Sequence, residues 1–282
     1  MPSDFPPYLS IPPERLGEGQ PVQVRIGADA EALADDMARA MAEVIRAGNA
    51  HGRGATLIVP VGPVDQFPVL ARLINVERLS CRSTVFINMD EYLTDEDEWL
   101  PADHPLSFRA FMDRRFYSLL DPALTPPPEN RIFPDPHDPA ALGRLIDARG
   151  GVDACFGGIG INGHIAFNEP PEPDAACSAD AFAALPTRVL SLARETRTIN
   201  AVTTGGGIEV VPRRAATVGM REILAARRLR FYCNRPWQRA VVRRLLHGPL
   251  TPACPASFLR LHSDASLTLT SEVAALPDIR LR

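Results

Sequence analysis

Short, almost uninterrupted apolar runs alternate along this chain with amphipathic segments, and that alternation constrains the fold more than any other feature. "VQVRIGAD" (22–29), "ATLIVPVG" (55–62), "STVFINMDEYL" (83–93), "VDACFGGIG" (152–160), "LRFYCN" (229–234) and "SLTLTSEV" (266–273) read as strands, with "RVLSLA" (188–193) a weaker one. Residues 30–47 place Leu33, Met37, Met41, Val44 and Ile45 on one helical stripe. The stretch after residue 62 to about Ile74, and residues 107–120, 139–149, 217–226 and 236–248, also read as helices. In the last of these Pro236 suits a first turn and Gly248 a stop.

Strands apolar on both faces belong in a mostly parallel sheet covered on both sides. The expectation is therefore an α/β fold of three layers, a Rossmann-like sheet with helices on both faces. Right-handed crossovers then bring the carboxyl ends of the strands to one edge, where ligands bind in open α/β sheets. No internal repeat is visible, and the proline-rich stretches 121–139 and 168–175 read as surface loops. One domain is expected over 22–282, preceded by an extended proline-rich arm at 1–21.

Composition removes several classes of function. A net charge of −4 offers no footprint for nucleic acid. No apolar stretch approaches a membrane span, and "MPSDFPPYLSIPPERL" lacks the basic and apolar regions of a secretory signal. The five cysteines are odd in number and form no C-x-x-C pair, which points away from disulfides or a zinc knuckle and toward a reducing cytoplasm. All thirty basic residues are arginine. Catalysis through a lysine imine, including pyridoxal phosphate chemistry, is thereby excluded. Any side-chain cation that holds an anion must be an arginine or a histidine.

Three strand ends carry unusual residues to the expected ligand edge. They are Pro60-Val61-Gly62-Pro63-Val64-Asp65, Asn88-Met89-Asp90-Glu91-Tyr92, and "GGIGINGHIAFNEP" (157–170). A glycine in a strand-to-helix turn, or an acid after a strand, is common on its own. Three such ends together are not. No second histidine stands at metal-ligand spacing from His164, and the acids from Asp90 to Glu98 lack the glycine and spacing of a calcium loop. No metal site is expected.

"FINMDEYL" followed by "GGIGINGHIAFNEP" resembles the glucosamine-6-phosphate deaminase (isomerase) family. "HPLSFRAFM" (104–112) is similar to that family's lid segment, "TVGMREILAA" to a later helix, and "PWQRAVV" to the segment carrying a phosphate-binding cation. The likeness runs in order from about residue 22 to about residue 273. It implies ring opening of an amino sugar, proton transfer from C2 to C1 and release of ammonia, with no cofactor. Asp90 matches the base for the C2 proton, His164 the ring-opening residue, and Glu169 the carboxylate that orients it. Gly62, Pro63, Glu91, Gly160, Gly163 and Arg239 match positions around the substrate. The expected partner is a small sugar or sugar phosphate; homo-oligomerisation is left open.

The chain departs from the family at defined places. Asn162 stands where the family has an aspartate, so a charge beside His164 is missing, and an imidazole that loses an anion is a weaker base. Pro63 has no N–H to offer a phosphate, Val61 and Val64 have no hydroxyl, and Asp65 adds a like charge. Val202 aligns with a phosphate-gripping arginine, Leu190 with a lysine of the allosteric site in some members, and Arg239 keeps a cation where the family has a lysine. These departures favour a substrate other than a simple 6-phosphate. Two alternatives stand beside the deaminase reading: a hydrolase like the related 6-phosphogluconolactonases, and a non-catalytic sugar-binding protein on the same scaffold.

Overall fold

The computed structural model describes residues 4–62, 65–172, 174–175 and 177–280. The strands are β1 (Gln23–Gly27), β2 (Thr56–Val59), β3 (Val85–Asn88), β4 (Asp90–Leu93), β5 (Arg131–Ile132), β6 (Ala154–Gly157), β7 (Arg188–Ser191), β8 (Arg214–Thr217), β9 (Leu229–Cys233) and β10 (Ala265–Thr270). The α-helices are α1 (Ala30–Ala50), α2 (Gln66–Glu77), α3 (Phe108–Arg115), α4 (Ala140–Ala148), α5 (Ala179–Ala183), α6 (Arg194–Thr204), α7 (Met220–Leu224), α8 (Gln238–His247) and α9 (Ser271–Ala274).

Seven strands form a parallel sheet in the order β1-β10-β9-β6-β2-β3-β5. Alternate strand residues feed two cores, as the two-residue period of a strand requires. Leu57, Val59, Phe86, Ala154 and Phe156 pack with α1 and α2 on one face. Ile58, Ile87, Cys155, Phe231 and Leu267 pack with α4, α7 and α8 on the other. The three-layer α/β expectation holds. After β2 the chain moves outward to β3 and β5; after β6 it moves the other way to β9 and β10. The order reverses between β2 and β6, and a crevice opens at such a switch point.

The run 83–93 is not one strand. β3 belongs to the parallel sheet, but β4 starts a separate antiparallel sheet ordered β4-β8-β7. Met89 makes the step alone: its N–H donates to the Val59 carbonyl of the large sheet, and its carbonyl accepts from Val218 N–H beyond the small one. The small sheet has its own core of Tyr92, Leu100, Phe167, Leu192, Ala201, Val211 and Ala215. "TVGMREILAA" likewise divides, with Thr217 ending β8 before α7 begins at Met220.

The N-terminal arm is not extended throughout. Two 3-10 turns, Pro7–Ser10 and Pro13–Arg15, press Leu9 and Leu16 into the domain. Fully buried Arg243 of α8 donates to the Ile11 and Ala274 carbonyls at 2.8 and 2.7 Å, and Gly17 N–H donates to His247 Nε2 at 3.3 Å. A buried guanidinium needs such acceptors, and the arm supplies one of them.

Candidate active site

The switch-point edge collects most of the residues singled out in the sequence. β6 ends at Gly157 and runs into the turn that carries His164. Gly160 has no room for a side chain, because a Cβ there would lie 2.0–2.3 Å from three atoms of the His164 ring. Gly163 has φ +91°, in the region that favours glycine, and its Cβ would sit 2.8 Å from Cys254 Sγ. Gly160 therefore seats the histidine, and Gly163 lets the turn close against Cys254. Ala166 has φ +53°, an uncommon conformation for a residue with a Cβ. It lies in the turn that aims Phe167 N–H at Asp90.

The surroundings of His164 form a closed set of hydrogen bonds. Asn162 Oδ1 accepts from the His164 backbone N–H at 3.1 Å and lies 2.9 Å from His164 Nδ1. The backbone N–H can only donate, so that atom is the oxygen and the Asn162 amide orientation is fixed. Its Nδ2 then donates to Glu169 Oε2 at 2.8 Å. Glu169 Oε2 lies 3.3 Å from His164 Nδ1, and Glu169 Oε1 accepts from Ala193 N–H at 3.3 Å. Burial drives the Glu169 carboxyl upward, but the hydrogen bond and charge of His164, with hydrogen bonds from Asn162 and Thr196, hold it below the ordinary glutamate value. Nδ1 faces acceptor oxygens and so carries the proton, which leaves the Nε2 lone pair as the basic end of the ring.

Asp90 comes from the other sheet. Its Oδ1 accepts from the Thr217 hydroxyl at 2.5 Å and from Phe167 N–H at 3.1 Å. Burial pushes its carboxyl up to about 7, against the Thr217 hydrogen bond, the charge of His164 and the Phe167 N–H. A carboxyl poised there can both take and return a proton near neutrality. Tyr92, Phe108 and Phe167 cluster beside it with ring centroids 4.7–6.3 Å apart, Tyr92 stacked on Phe167 and Phe108 tilted against both, an apolar wall that keeps the local dielectric low.

Asp90, Asn162, Gly160, Gly163, His164 and Glu169 thus converge. Gly62 lies at the end of β2, next to β6, and a Cβ there would meet nothing within 4 Å. Pro63 and Val64 lie outside the described residues. Asp65 is paired with Arg115 of α3 at 2.5 Å, so its charge does not stand alone beside the loop. Arg239 sits in the first turn of α8, where its neighbour Gln238 donates to the Ile159 carbonyl at 2.7 Å. Its own Nε donates to the Glu272 carbonyl at 2.9 Å.

Glu91 corrects the sequence reading. It was expected to meet substrate, but it is completely buried and faces away from Asp90. Its oxygens accept from the N–H groups of Tyr92, Phe108 and Arg109 at 2.9 Å, from Ser107 Oγ at 3.3 Å and from Arg109 Nε at 3.2 Å. A carboxylate at the first turn of a helix is favourable, and Glu91 anchors α3 in that way. Neighbouring strand residues point to opposite faces, so only one of two consecutive acids can reach the cleft. Arg197 is also occupied: it donates to the Val211 and Ile208 carbonyls. Val202 is 74% exposed on α6. Sequence reasoning passed over Thr217, Thr196 and Asn200; the last donates to the Tyr92 hydroxyl at 2.8 Å.

Known proteins of similar sequence and similar fold place the chain. Glucosamine-6-phosphate deaminase 1 of Bacillus subtilis (strain 168) is 32% identical over 220 residues, 76% of this chain and 83% of that protein. The chain belongs to the glucosamine-6-phosphate deaminase family. A family relative from Rhodopirellula baltica is 31% identical over 261 residues, 92% of this chain and 97% of its own length. The solved structure of a monomeric glucosamine-6-phosphate deaminase superposes with a TM-score of 0.76 at 30% identity, covering 91% of this chain and all of that one. 6-Phosphogluconolactonase from Trypanosoma brucei shares the fold at 17% identity, with a TM-score of 0.63 over 90% of this chain and 97% of its own. No family model matches the chain.

Proposed function

We propose that this family member is a glucosamine-6-phosphate deaminase: the sugar ring opens, a proton moves from C2 to C1, and water adds to the resulting C2 imine and displaces ammonia, leaving fructose 6-phosphate. The observation that carries the reading is the convergence of two differently tuned groups at one strand edge. His164 presents Nε2 as a base, which suits taking the anomeric hydroxyl proton and returning one to the ring oxygen. Asp90 suits the next step, because a carboxyl near neutrality accepts the C2 proton and delivers it to C1. Glu169 is the negative charge that answers the imidazolium formed on the way.

Arg239 is the proposed anchor for the phosphate. It gains in bidentate geometry over a lysine, while Val202 contributes no cation. The family relatives favour the 6-phosphate over the different substrate suggested by Pro63 and Val202; phosphate binding then rests on fewer charges than the family pattern, and a raised KM is expected. The five free cysteines suit a reducing compartment, and no helix among the described residues is long and apolar enough to cross a membrane.

Purified protein incubated with glucosamine 6-phosphate should release ammonia and fructose 6-phosphate in equal amounts, read by coupled assays of each product. Hydrolysis of 6-phosphogluconolactone that survives Asp90→Asn, without ammonia from the amino sugar, would move the assignment to the hydrolase alternative. Binding of the amino sugar without either product would move it to the non-catalytic one.

A further inference from the structure

The oxygens around His164 Nδ1 include one that belongs to neither the strand-end turn nor the motif that resembles the family. Thr196, in the first turn of α6, is completely buried, and its Oγ1 lies 3.1 Å from Nδ1. Its hydroxyl also helps to hold the Glu169 carboxyl below its ordinary value. A hydroxyl has one proton and two lone pairs. With Nδ1 protonated, Thr196 Oγ1 accepts from Nδ1–H. Asn162 accepts from Nδ1–H on the other side and donates to Glu169 through Nδ2. Two neutral oxygens therefore face one ring nitrogen beside one carboxylate.

Helical geometry extends the arrangement. Thr196 and Asn200 are four residues apart and share a face of α6. Asn200 holds the hydroxyl of Tyr92, which lies two residues after Asp90 on the same side of β4. Ala193, at the start of the helix, donates its N–H to Glu169. One helix face thus touches both halves of the site, the histidine turn and the aspartate strand.

We infer that Thr196 is a positioning residue for the ring-opening step, holding His164 in the Nδ1–H tautomer as a second neutral acceptor at Nδ1 in partnership with Asn162. The inference rests on the deaminase reading for its kinetic consequence, but not for its structural one. Asn162 carries no charge of its own, so the field of Glu169 reaches the ring through these two neutral groups and across 3.3 Å. Without Thr196, Nδ1–H keeps only Asn162 Oδ1 and Glu169 Oε2 as acceptors, and the Nε2–H tautomer is less strongly disfavoured. That tautomer has no lone pair facing the sugar.

The test compares Thr196→Val, which keeps the shape and removes the hydroxyl, with Thr196→Ser, which keeps the hydroxyl. With glucosamine 6-phosphate as substrate, Thr196→Val should lower kcat roughly 10- to 100-fold with KM within about twofold, a fraction of a full acid–base contribution. Thr196→Ser should recover activity to within about threefold of the parent. Nitrogen-15 chemical shifts of His164 supply a readout independent of turnover: Nδ1–H in the parent and in Thr196→Ser, a mixture of tautomers in Thr196→Val. Unchanged tautomer and kcat in Thr196→Val would overturn the inference. So would a Thr196→Ser variant as impaired as Thr196→Val at equal melting temperature. If the parent releases no ammonia, the deaminase reading fails, and the nitrogen shifts still decide the role of Thr196.

Discussion

Asp90 and Glu169 are carboxylates buried at the same strand edge, yet one is held up near neutrality and the other below its usual range. Burial is the largest influence on both. The difference lies in what opposes it. Glu169 has a histidine ring, an amide, a hydroxyl and a backbone N–H around its two oxygens. Asp90 has one hydroxyl and one backbone N–H, both on Oδ1. The comparison teaches that depth alone does not set protonation; the donors that face the group, and their charge, decide it.

The comparison breaks most visibly at Asp90. Asp90→Asn should reduce ammonia release by about 10³-fold or more, the range expected for removing a general base. The same variant should melt several degrees higher. The sign follows from linkage: a carboxyl whose folded pKa is raised from 3.8 to about 7 makes the folded state bind the proton more tightly. Its contribution to stability is full below the unfolded value and lost as pH rises toward about 7. Calorimetry of the parent and Asp90→Asn at pH 5 and pH 8 should show the two converging at the lower pH. In activity, kcat/KM of the parent should fall as pH drops below about 7, because the base must be ionised.

Glu169→Gln should cost about 10² in kcat, since the imidazolium loses its counter-charge and keeps only neutral partners. Its effect on stability has the opposite pH sign. A depressed carboxyl stabilises above its unfolded value of 4.5, and that contribution disappears as pH falls through the folded value. Unfolding by urea at pH 4 and pH 7 measures it. Glu91→Gln touches neither reacting group and should instead lower stability by about 1–3 kcal/mol at pH 7 by weakening the α3 anchor. Urea midpoints against kcat separate the two effects. The smallest change is expected from Asn162→Asp. A second negative charge beside Nδ1 should strengthen the histidine as a base and raise kcat a few-fold. An unchanged rate would show that Glu169, relayed by neutral groups, already suffices.

Much of this was legible before any coordinates. Periodicity located six of the seven parallel strands because buried strands and amphipathic helices leave different patterns, and the glycine–histidine turn was conspicuous beside them; the two-residue β5 lay within 121–139, read as a surface loop, because so short a strand has no period to show. The second sheet was not legible. Residues 83–93 form one apolar run, and the change of sheet at Met89 is made by two backbone hydrogen bonds that no side chain announces. β8 was hidden in a segment whose later residues read as a helix. Glu91 was misjudged because composition places two acids together, whereas strand pleat sends them apart. Thr196 lay in a stretch where arginines drew attention; only packing shows that a hydroxyl, and not Arg197, reaches the histidine.

The adjacency of Asp90 and Glu91 has one more consequence. Sliding β4 by one residue against β8 would exchange the faces of its side chains, and a carboxylate would still enter the cleft. The wrong acid, one methylene longer, would stand in the place of the base, and a shorter one would confront α3. Five donors converge on Glu91 from Tyr92 and the α3 turn, and a shorter side chain would leave several of them unanswered. The donors on Glu91 thereby tie the alignment of β4 to the seating of α3: a mispaired sheet would be penalised there, on the face of the strand opposite Asp90.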